Sequence, residues 1–310
     1  MIDSTAKWCA AEGATPAPLS FLILGQRVHV DCSDPWLRHV VTANFAAMST
    51  PIEGTCPDLH YCVTKGTRPE TISLSCQGRV VRTNADRGDL LFLLEEHITV
   101  ELQRRRADLF FLHAAAIDWQ GIALLLVAES GSGKSTTTWG LLHHAFHYLS
   151  DELSPVDLNT MRVLPYPHAL CLKRDPPPPY ALPPNAIRLG RTIHLPVDAL
   201  PGPTVLGPRV LGGVVFVTHS PDSQAPEIRS IGRAEASARL YVGALNALAH
   251  PNQGLQAVVR ITQHLPCFAL SSSDLSATCA VMCSAVGKIF PRGTKSANLP
   301  NGRTRVDRAS

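Results

Sequence analysis

The sequence predicts an α/β protein with a mixed β-sheet, preceded by a small α+β subdomain. Two extended runs, residues 109–118 and 122–127, flank a turn at Trp119-Gln120-Gly121, a pattern typical of an antiparallel hairpin. The second run leads straight into a glycine-rich segment and then a helical pattern, so a hairpin feeds that segment and indicates a mixed sheet. Before it, short β-type runs alternate with turn residues over 18–84. We therefore divide the chain into three parts: residues 1–88 as the subdomain, 89–290 as the larger domain and 291–310 as a disordered tail.

The composition predicts a globular, cytosolic protein. Of the 310 residues, 45% are hydrophobic and 17% are charged, which suffices for a large core. The formal net charge of +3 comes from charges spread along the chain, so nucleic acid is not a predicted partner. The longest aliphatic stretch, 122–128, is far short of the roughly 20 residues that span a bilayer, so no membrane partner is expected. The nine cysteines contain no C-x-x-C pair, and their spacing gives no zinc signature.

Turn and cap residues predict the elements of the subdomain. One hairpin is expected over 19–31 and another over 71–82. A helix is predicted over 35–48, with Ser33 or Asp34 as its N-cap and a proline in its first turn.

Hydrophobic spacing and caps predict the elements of the larger domain. A helix over 89–106 ends in three arginines, which suit a helix C-terminus, and phosphate binding is their alternative use. The proline-rich segment 176–184 is expected to be an irregular loop, because proline lacks a backbone donor. The other predicted elements are a helix over 135–144, strands over 146–149 and 211–217, a helix over 233–249, a strand over 267–270 and a last helix from Ser273 or Asp274 to 290.

The glycine-rich segment has the composition of a phosphate-binding loop. Small residues let backbone N–H groups turn inward, the following helix adds its positive end, a lysine binds the β and γ phosphates and a hydroxyl binds Mg²⁺. The segment offers these parts in the required order between a predicted strand and a predicted helix. The predicted nucleotide-binding residues are Ala128, Glu129, Ser130, Gly131, Ser132, Gly133, Lys134, Ser135 and Thr136.

The first position of the loop departs from the motif, because Ala128 stands where glycine is usual. Alanine costs little there if its φ is negative, whereas a positive φ would strain the loop by roughly 1 kcal/mol or more. A glycine-serine turn with an incidental lysine is the alternative interpretation of the segment.

A pair of carboxylates follows the next predicted strand. Asp151 and Glu152 end that strand directly after the loop's helix, so both can lie on the loop side of the sheet. Mg²⁺ prefers oxygen ligands, and phosphoryl transfer to an alcohol benefits from a base near the acceptor. Adjacent strand residues point to opposite faces, so one carboxylate is expected near the metal and the other elsewhere. A capping pair in a turn is the alternative.

By pattern alone, His113 on the first hairpin strand is a hydrogen-bonded core histidine.

Three motifs together resemble the catalytic domain of the HPr kinase/phosphorylase family. They are the run from His113 to Gly121, the segment Ser130-Gly-Ser-Gly-Lys-Ser135 and the sequence Leu149-Ser-Asp-Glu152. The fold of that family is similar to the nucleotide-binding core of phosphoenolpyruvate carboxykinase, so the resemblance implies a mixed-sheet P-loop kinase core. It covers residues 109–175 with specific motifs and the remainder to 290 only loosely.

The resemblance implies a role for each matching residue. Lys134 would bind phosphate, and Ser135 and Asp151 would bind Mg²⁺. Asp151, Glu152 and His113 would form the catalytic cluster, with the choice of base between the two acids left open. The chain departs from the family in three respects: Glu152 replaces the usual aspartate, Ala128 replaces the first loop glycine, and the arginine-glycine signature that accompanies phosphorylase activity has no counterpart.

A further segment, from Tyr166 to Lys173, resembles kinase-only relatives, including those of lasso-peptide pathways. This resemblance makes Lys173 and Arg174 candidates to contact the nucleotide or the acceptor, and a surface role is the alternative.

These observations predict a kinase that uses ATP and Mg²⁺ to phosphorylate a serine of a small protein or peptide. A small-molecule kinase, an NTPase switch without an acceptor and a nucleotide-binding scaffold are the alternatives. The sequence leaves the acceptor, the nucleotide preference, the reverse reaction and the oligomeric state open, although relatives commonly form homo-oligomers.

Overall fold

The computed structural model describes residues 16–52, 54, 56–220 and 225–291. The tail predicted over 291–310 lies, except for its first residue, outside the described residues. The described part contains seventeen strands in three sheets and six α-helices. Among these helices, none is both long and apolar enough to cross a membrane.

The first sheet has five strands in chain order, and two helices accompany it. The predicted hairpins over 19–31 and 71–82 are present as the antiparallel pairs β1–β2 and β4–β5. Strands β2 and β3 are parallel, and α1 forms the crossover between them. The ranges are β1 Leu19–Ile23, β2 Gln26–Cys32, α1 Pro35–Asn44, β3 Leu59–Lys65, β4 Thr71–Cys76, β5 Arg79–Asp86 and α2 Leu90–Arg105.

Helix α1 begins where the cap residues predicted it. The Asp34 carboxylate accepts hydrogen bonds from the backbone N–H groups of Trp36 and Leu37, both at 3.0 Å, and so satisfies two free donors of the first turn. The helix ends at Asn44, and a short 3₁₀ turn completes the segment predicted to 48.

Helix α2 packs against the first sheet rather than standing apart from it. Its buried leucines, such as Leu94 and Leu102, share one core with Phe21 and Tyr61 of that sheet. The three arginines at its end bind nearby groups: Arg104 and Arg105 pair with Glu101, and Arg106 pairs with Asp108. The domain boundary at residue 88 stays a prediction.

The second and third sheets contain the remaining elements. In chain order these are β6 Phe110–Leu112, β7 Ala114–Trp119, β8 Ile122–Val127, α3 Lys134–Leu142, β9 His147–Ser150, β10 Ser154–Asp157, β11 Arg162–Val163, β12 Leu170–Leu172, β13 Ile187–Leu189, β14 Thr192–Leu195, β15 Arg209–His219, β16 Glu227–Ser230, α4 Arg233–Val242, α5 Leu255–Gln263, β17 Cys267–Ser272 and α6 Leu275–Ile289.

The central sheet has nine strands and is mixed, as predicted. Strand β8 lies between the antiparallel β7 and the parallel β15, which is also parallel to β17. Side chains of β8 alternate between two cores, one with α3 and α6 and the other with α4 and α5. Because both faces are covered, the strand is a continuous hydrophobic run rather than an alternating one.

The hairpin β7–β8 has six residues in each strand and a two-residue turn. Gln120 and Gly121 both have positive φ, 53° and 91°, which is typical of a type I′ turn. The register pairs Trp119 with Ile122 at the turn and Ala114 with Val127 at the open end. The open end therefore places residue 113 beside the start of the glycine-rich loop.

The strand predicted over 109–118 is interrupted at His113, which corrects that prediction. Strand β6 pairs with β10, whereas β7 pairs with β8 and β9. At the break, the backbone N–H of His113 donates to the carbonyl of Gly243 at 2.7 Å, so a contact distant in sequence replaces the ladder bond.

One further prediction differs from the structure, and some elements were not predicted. The helix predicted over 233–249 ends at Val242, where Gly243 is the C-cap and its N–H bonds back to Leu240 and Tyr241. Helix α5 and the three-stranded sheet β12-β14-β13 have no counterpart among the predicted elements. The proline-rich segment 176–184 is irregular, as predicted.

Helix α3 contacts α6 at Gly140, where a side chain does not fit. A Cβ on Gly140 would lie 2.8 Å from both Cys279 Sγ and Leu275 Cδ1. We expect Gly140→Ala to lower the free energy of unfolding by about 1–3 kcal/mol, the usual cost of overpacking. Gly287→Ala in α6 is the matched control, because a Cβ there meets nothing within 4 Å, and it should raise stability by up to about 1 kcal/mol. Equal stabilities in chemical denaturation would contradict this close helix contact.

Candidate functional site

A cavity of about 560 Å³ lies at one edge of the central sheet. The parallel strands β8, β15 and β17 end there, since the carboxyl ends of parallel strands meet at the same edge. The glycine-rich loop (Ala128–Ser135), the first turn of α3 and the start of α6 complete its wall, although Ala128 and Ser132 of the loop do not line it. This is the position at which open α/β sheets commonly bind ligands.

The glycine-rich loop takes a conformation that needs its glycines. Gly131 and Gly133 both have φ of 87°, which only glycine adopts without strain. Ala128 is not among the described residues with positive φ, so alanine is compatible with that position. Gly133 is the N-cap of α3 and supplies no side-chain cap, so the first N–H groups of the helix lack a capping side chain at the cavity.

Lys134 and Asp151 form a buried pair beneath the loop. Lys134 Nζ donates to the backbone carbonyl of Asp151 and lies 3.6 Å from Asp151 Oδ1. Asp151 Oδ2 accepts from the backbone N–H of Cys171 at 3.2 Å, whereas Oδ1 has no hydrogen-bond partner among the described residues. Lys134 lines the cavity and Asp151 lies behind it, fully buried.

The second carboxylate of the pair, Glu152, is partly exposed, whereas Asp151 is buried. Glu152 lines the cavity with its side chain about half exposed, at 52%. His113 Nδ1 lies 4.0 Å from Glu152 Oε2, and the two side chains share the cavity wall. Burial, and then the positive charge of Lys134, lower the pKa of His113 below its usual value, although Glu152 and Asp151 oppose the shift. The shift favours the neutral form of the imidazole.

Of the two basic candidates after β12, Lys173 contacts the loop directly. Its Nζ donates to Ser130 Oγ at 2.9 Å, and both Lys173 and Arg174 line the cavity. The structure thus brings together His113, Glu152, Lys134 and Lys173 around one cavity. Ser135 and Thr136 also line it.

Two further cavity residues were missed by the sequence reasoning. His219 ends β15 and Ser272 ends β17, and His219 Nδ1 lies 3.3 Å from Ser272 Oγ. The signal was available, because both residues follow predicted strands at their carboxyl ends. The strands were predicted to end before these residues, at 217 and 270.

Comparison with known proteins identifies no close relative. No protein-family model and no curated protein matches the chain. Among solved structures, the Hpr(Ser) kinase/phosphatase from Coxiella burnetii aligns with 58% of this chain and 97% of its own, at 12% identity and a TM-score of 0.30. This indicates only a distant fold relationship and carries no functional argument. The chain is a mixed-sheet α/β protein with a glycine-rich loop at the edge of its central sheet.

Proposed function

We propose that the chain binds ATP with Mg²⁺ in the cavity and transfers a phosphoryl group to a serine hydroxyl of a small protein or peptide. The proposal depends above all on one observation: the loop with two positive-φ glycines leads into an uncapped helix N-terminus, and Lys134 follows directly. Backbone donors, a helix N-terminus and a lysine together are the elements of a phosphate-binding P-loop. The mixed-sheet fold and the resemblance of the motifs to HPr kinases support the same assignment.

The residues present fit a nucleotide with its metal ion. A Cβ on Gly131 would meet nothing within 4 Å, so the loop leaves space on that side for a ligand. Oδ1 of buried Asp151 lies 3.6 Å from Lys134 Nζ but accepts no hydrogen bond within the described residues, so a metal cation would satisfy it, and Ser135 at the first turn of α3 offers a hydroxyl ligand. Bound ATP and Mg²⁺ would supply the activated phosphoryl group and neutralise part of its charge.

Side chains of this protein would take up the proton that the acceptor hydroxyl loses. Glu152 is half exposed in the cavity wall, so an incoming hydroxyl can reach its carboxylate. We assign Glu152 the proton-accepting role and His113 the role of orienting it, because their side chains lie 4.0 Å apart. Lys134 binds the phosphate oxygens, and Lys173 contacts the loop through its hydrogen bond to Ser130 Oγ.

Transfer of labelled phosphate from ATP tests this function. The full chain is incubated with [γ-³²P]ATP and Mg²⁺, with and without the small proteins or peptides encoded by neighbouring genes. A kinase should be nearly idle alone and should label a serine when its acceptor is added. Steady release of inorganic phosphate without an acceptor would instead identify an NTPase switch, and binding without turnover under every condition would identify a scaffold. Either result would overturn the proposal.

A further inference from the structure

Behind the cavity wall, three metal-ligating side chains from three separate elements converge. They are Glu95 of α2, Cys171 of β12 and His194 of β14, and one donor atom of each lies within 4.8 Å of the others. Cys171 Sγ is 3.2 Å from His194 Nδ1. None of these three groups takes part in the phosphoryl transfer proposed above.

The hydrogen bonds of His194 direct a lone pair at the cysteine sulfur. The hydroxyl of Thr192 donates to the carbonyl of Leu189 at 3.2 Å, and Thr192 Oγ1 lies 2.8 Å from His194 Nε2. A hydroxyl has only one hydrogen, so both contacts are hydrogen bonds only if His194 Nε2–H donates to Thr192. The imidazole then carries its proton on Nε2, and Nδ1 faces Cys171 as an acceptor. Metal-binding histidines are held in this way, with the second nitrogen donating to an outer partner.

The carboxylate of Glu95 is also held in place by neighbours. Asn44 Nδ2 donates to Glu95 Oε1 at 2.6 Å, and His168 Nδ1 lies 3.3 Å from the same oxygen. His168 is buried, with 1% of its surface exposed, and neither of its ring nitrogens makes an aligned hydrogen bond within the described residues. Asn44 and His168 therefore contact the same oxygen of Glu95 and fix the orientation of that carboxylate beside Cys171 and His194.

We propose that Glu95, Cys171 and His194 bind a Zn²⁺ ion, with the fourth position open to water. Thiolate, imidazole and carboxylate are the donors that zinc takes in proteins. Zn–S and Zn–N bonds of about 2.3 and 2.0 Å place tetrahedral ligands roughly 3.5 Å apart, close to the 3.2 Å between Cys171 Sγ and His194 Nδ1. Binding displaces the proton of the Cys171 thiol to water. Cys171 and Thr192 line the cavity, which provides the entry path.

The ion would connect the cluster to the nucleotide site. It would tie α2 to the antiparallel pair β12–β14, whose buried residues belong to a different hydrophobic core from those of α2. The backbone N–H of Cys171 donates to Asp151 Oδ2, so a fixed Cys171 also fixes the orientation of that carboxylate. The site is therefore structural, and its test does not depend on whether the chain transfers phosphate.

Metal analysis of the full chain tests the site. The protein is purified without a metal-binding tag or chelator, its zinc is quantified by mass spectrometry, and the metal-free form is titrated with Co²⁺. We expect stoichiometric zinc, and with Co²⁺ a near-ultraviolet thiolate-to-metal charge-transfer band. Both should be lost in Cys171→Ser, and His194→Gln should lose most of the zinc.

The chain contains a matched control. Asp31, His60 and Cys62 form a second donor cluster on the first sheet, so Cys62→Ser should keep the zinc and the cobalt band. Circular dichroism establishes whether each variant folds. If the unmodified chain binds no zinc and gives no thiolate band, or if Cys171→Ser keeps the metal, the proposal is overturned, and Cys171 is then only a thiol hydrogen-bonded to His194. The unmodified chain alone decides the first of these outcomes, even if the variants do not fold.

Discussion

Replacement of Lys134 by alanine is expected to abolish nucleotide binding and turnover together. Lys134 carries the only positive charge between Ala128 and Ser135, at the first residue of α3. A hydrogen bond from a charged donor contributes about 1.5–3 kcal/mol, and the lysine is placed to reach both terminal phosphates. We therefore expect ATP affinity, measured by calorimetry, to fall at least about 100-fold, or roughly 3 kcal/mol.

Two companion variants make this result interpretable. Lys134→Met keeps most of the volume of the buried side chain and separates the loss of charge from a loss of packing. Lys65→Ala removes an exposed lysine at the end of β3, far along the chain from the loop, and should leave affinity unchanged. Normal ATP binding by Lys134→Ala would contradict the assignment of the glycine-rich loop as a P-loop.

Asp151→Asn should weaken metal-dependent nucleotide binding and abolish transfer at the same time. The carboxylate is fully buried next to Lys134, and its Oδ1 accepts no hydrogen bond among the described residues. An amide retains the shape but not the charge that attracts Mg²⁺. Affinity for ATP should therefore depend on Mg²⁺ in the unmodified chain and lose that dependence in the variant.

Glu152→Gln should behave differently, because Glu152 faces the cavity rather than the buried pair. Nucleotide binding should persist, and transfer should fall by roughly 10²–10⁴-fold, the usual effect of losing a general base. His113→Asn belongs to the same group, since it removes the imidazole that lies 4.0 Å from the carboxylate.

The three variants are compared by paired measurements of Mg-nucleotide affinity and of phosphate transfer to an identified acceptor. Glu96→Gln, on the exposed side of α2, serves as the carboxylate control and should keep both properties. If Asp151→Asn, Glu152→Gln and His113→Asn all keep normal transfer, the kinase assignment fails, and a binding or switch function becomes the better interpretation.

The mixed sheet and the glycine-rich loop could be predicted because their signals are local. The turn at Gln120-Gly121 and the order of glycine, lysine and serine in the loop each lie within a few residues. The caps of α1 and α6 were predictable for the same reason, since Asp34 and Asp274 each accept from an N–H two or three residues on.

Features created by packing could not be predicted in this way. The break at His113 exists because its N–H meets the carbonyl of Gly243, which no short pattern encodes. The donor cluster of Glu95, Cys171 and His194 was invisible for a related reason: metal signatures are sought as closely spaced pairs, whereas these ligands come from three elements. Strands as short as β12 and β13, with three residues each, also lack a recognisable period.

The equal arms of the hairpin β7–β8 restrict how this part of the chain can vary in length. Ala114 pairs with Val127, so His113 and the glycine-rich loop leave the same open end of the hairpin. One extra residue in a single arm would displace His113 by about 3.3 Å and turn its side chain to the other face of the sheet. Insertions at the distal turn would leave the open end untouched. Length changes that keep the two sides of the cavity in register are therefore confined to the turn, or must occur as compensated pairs in both arms.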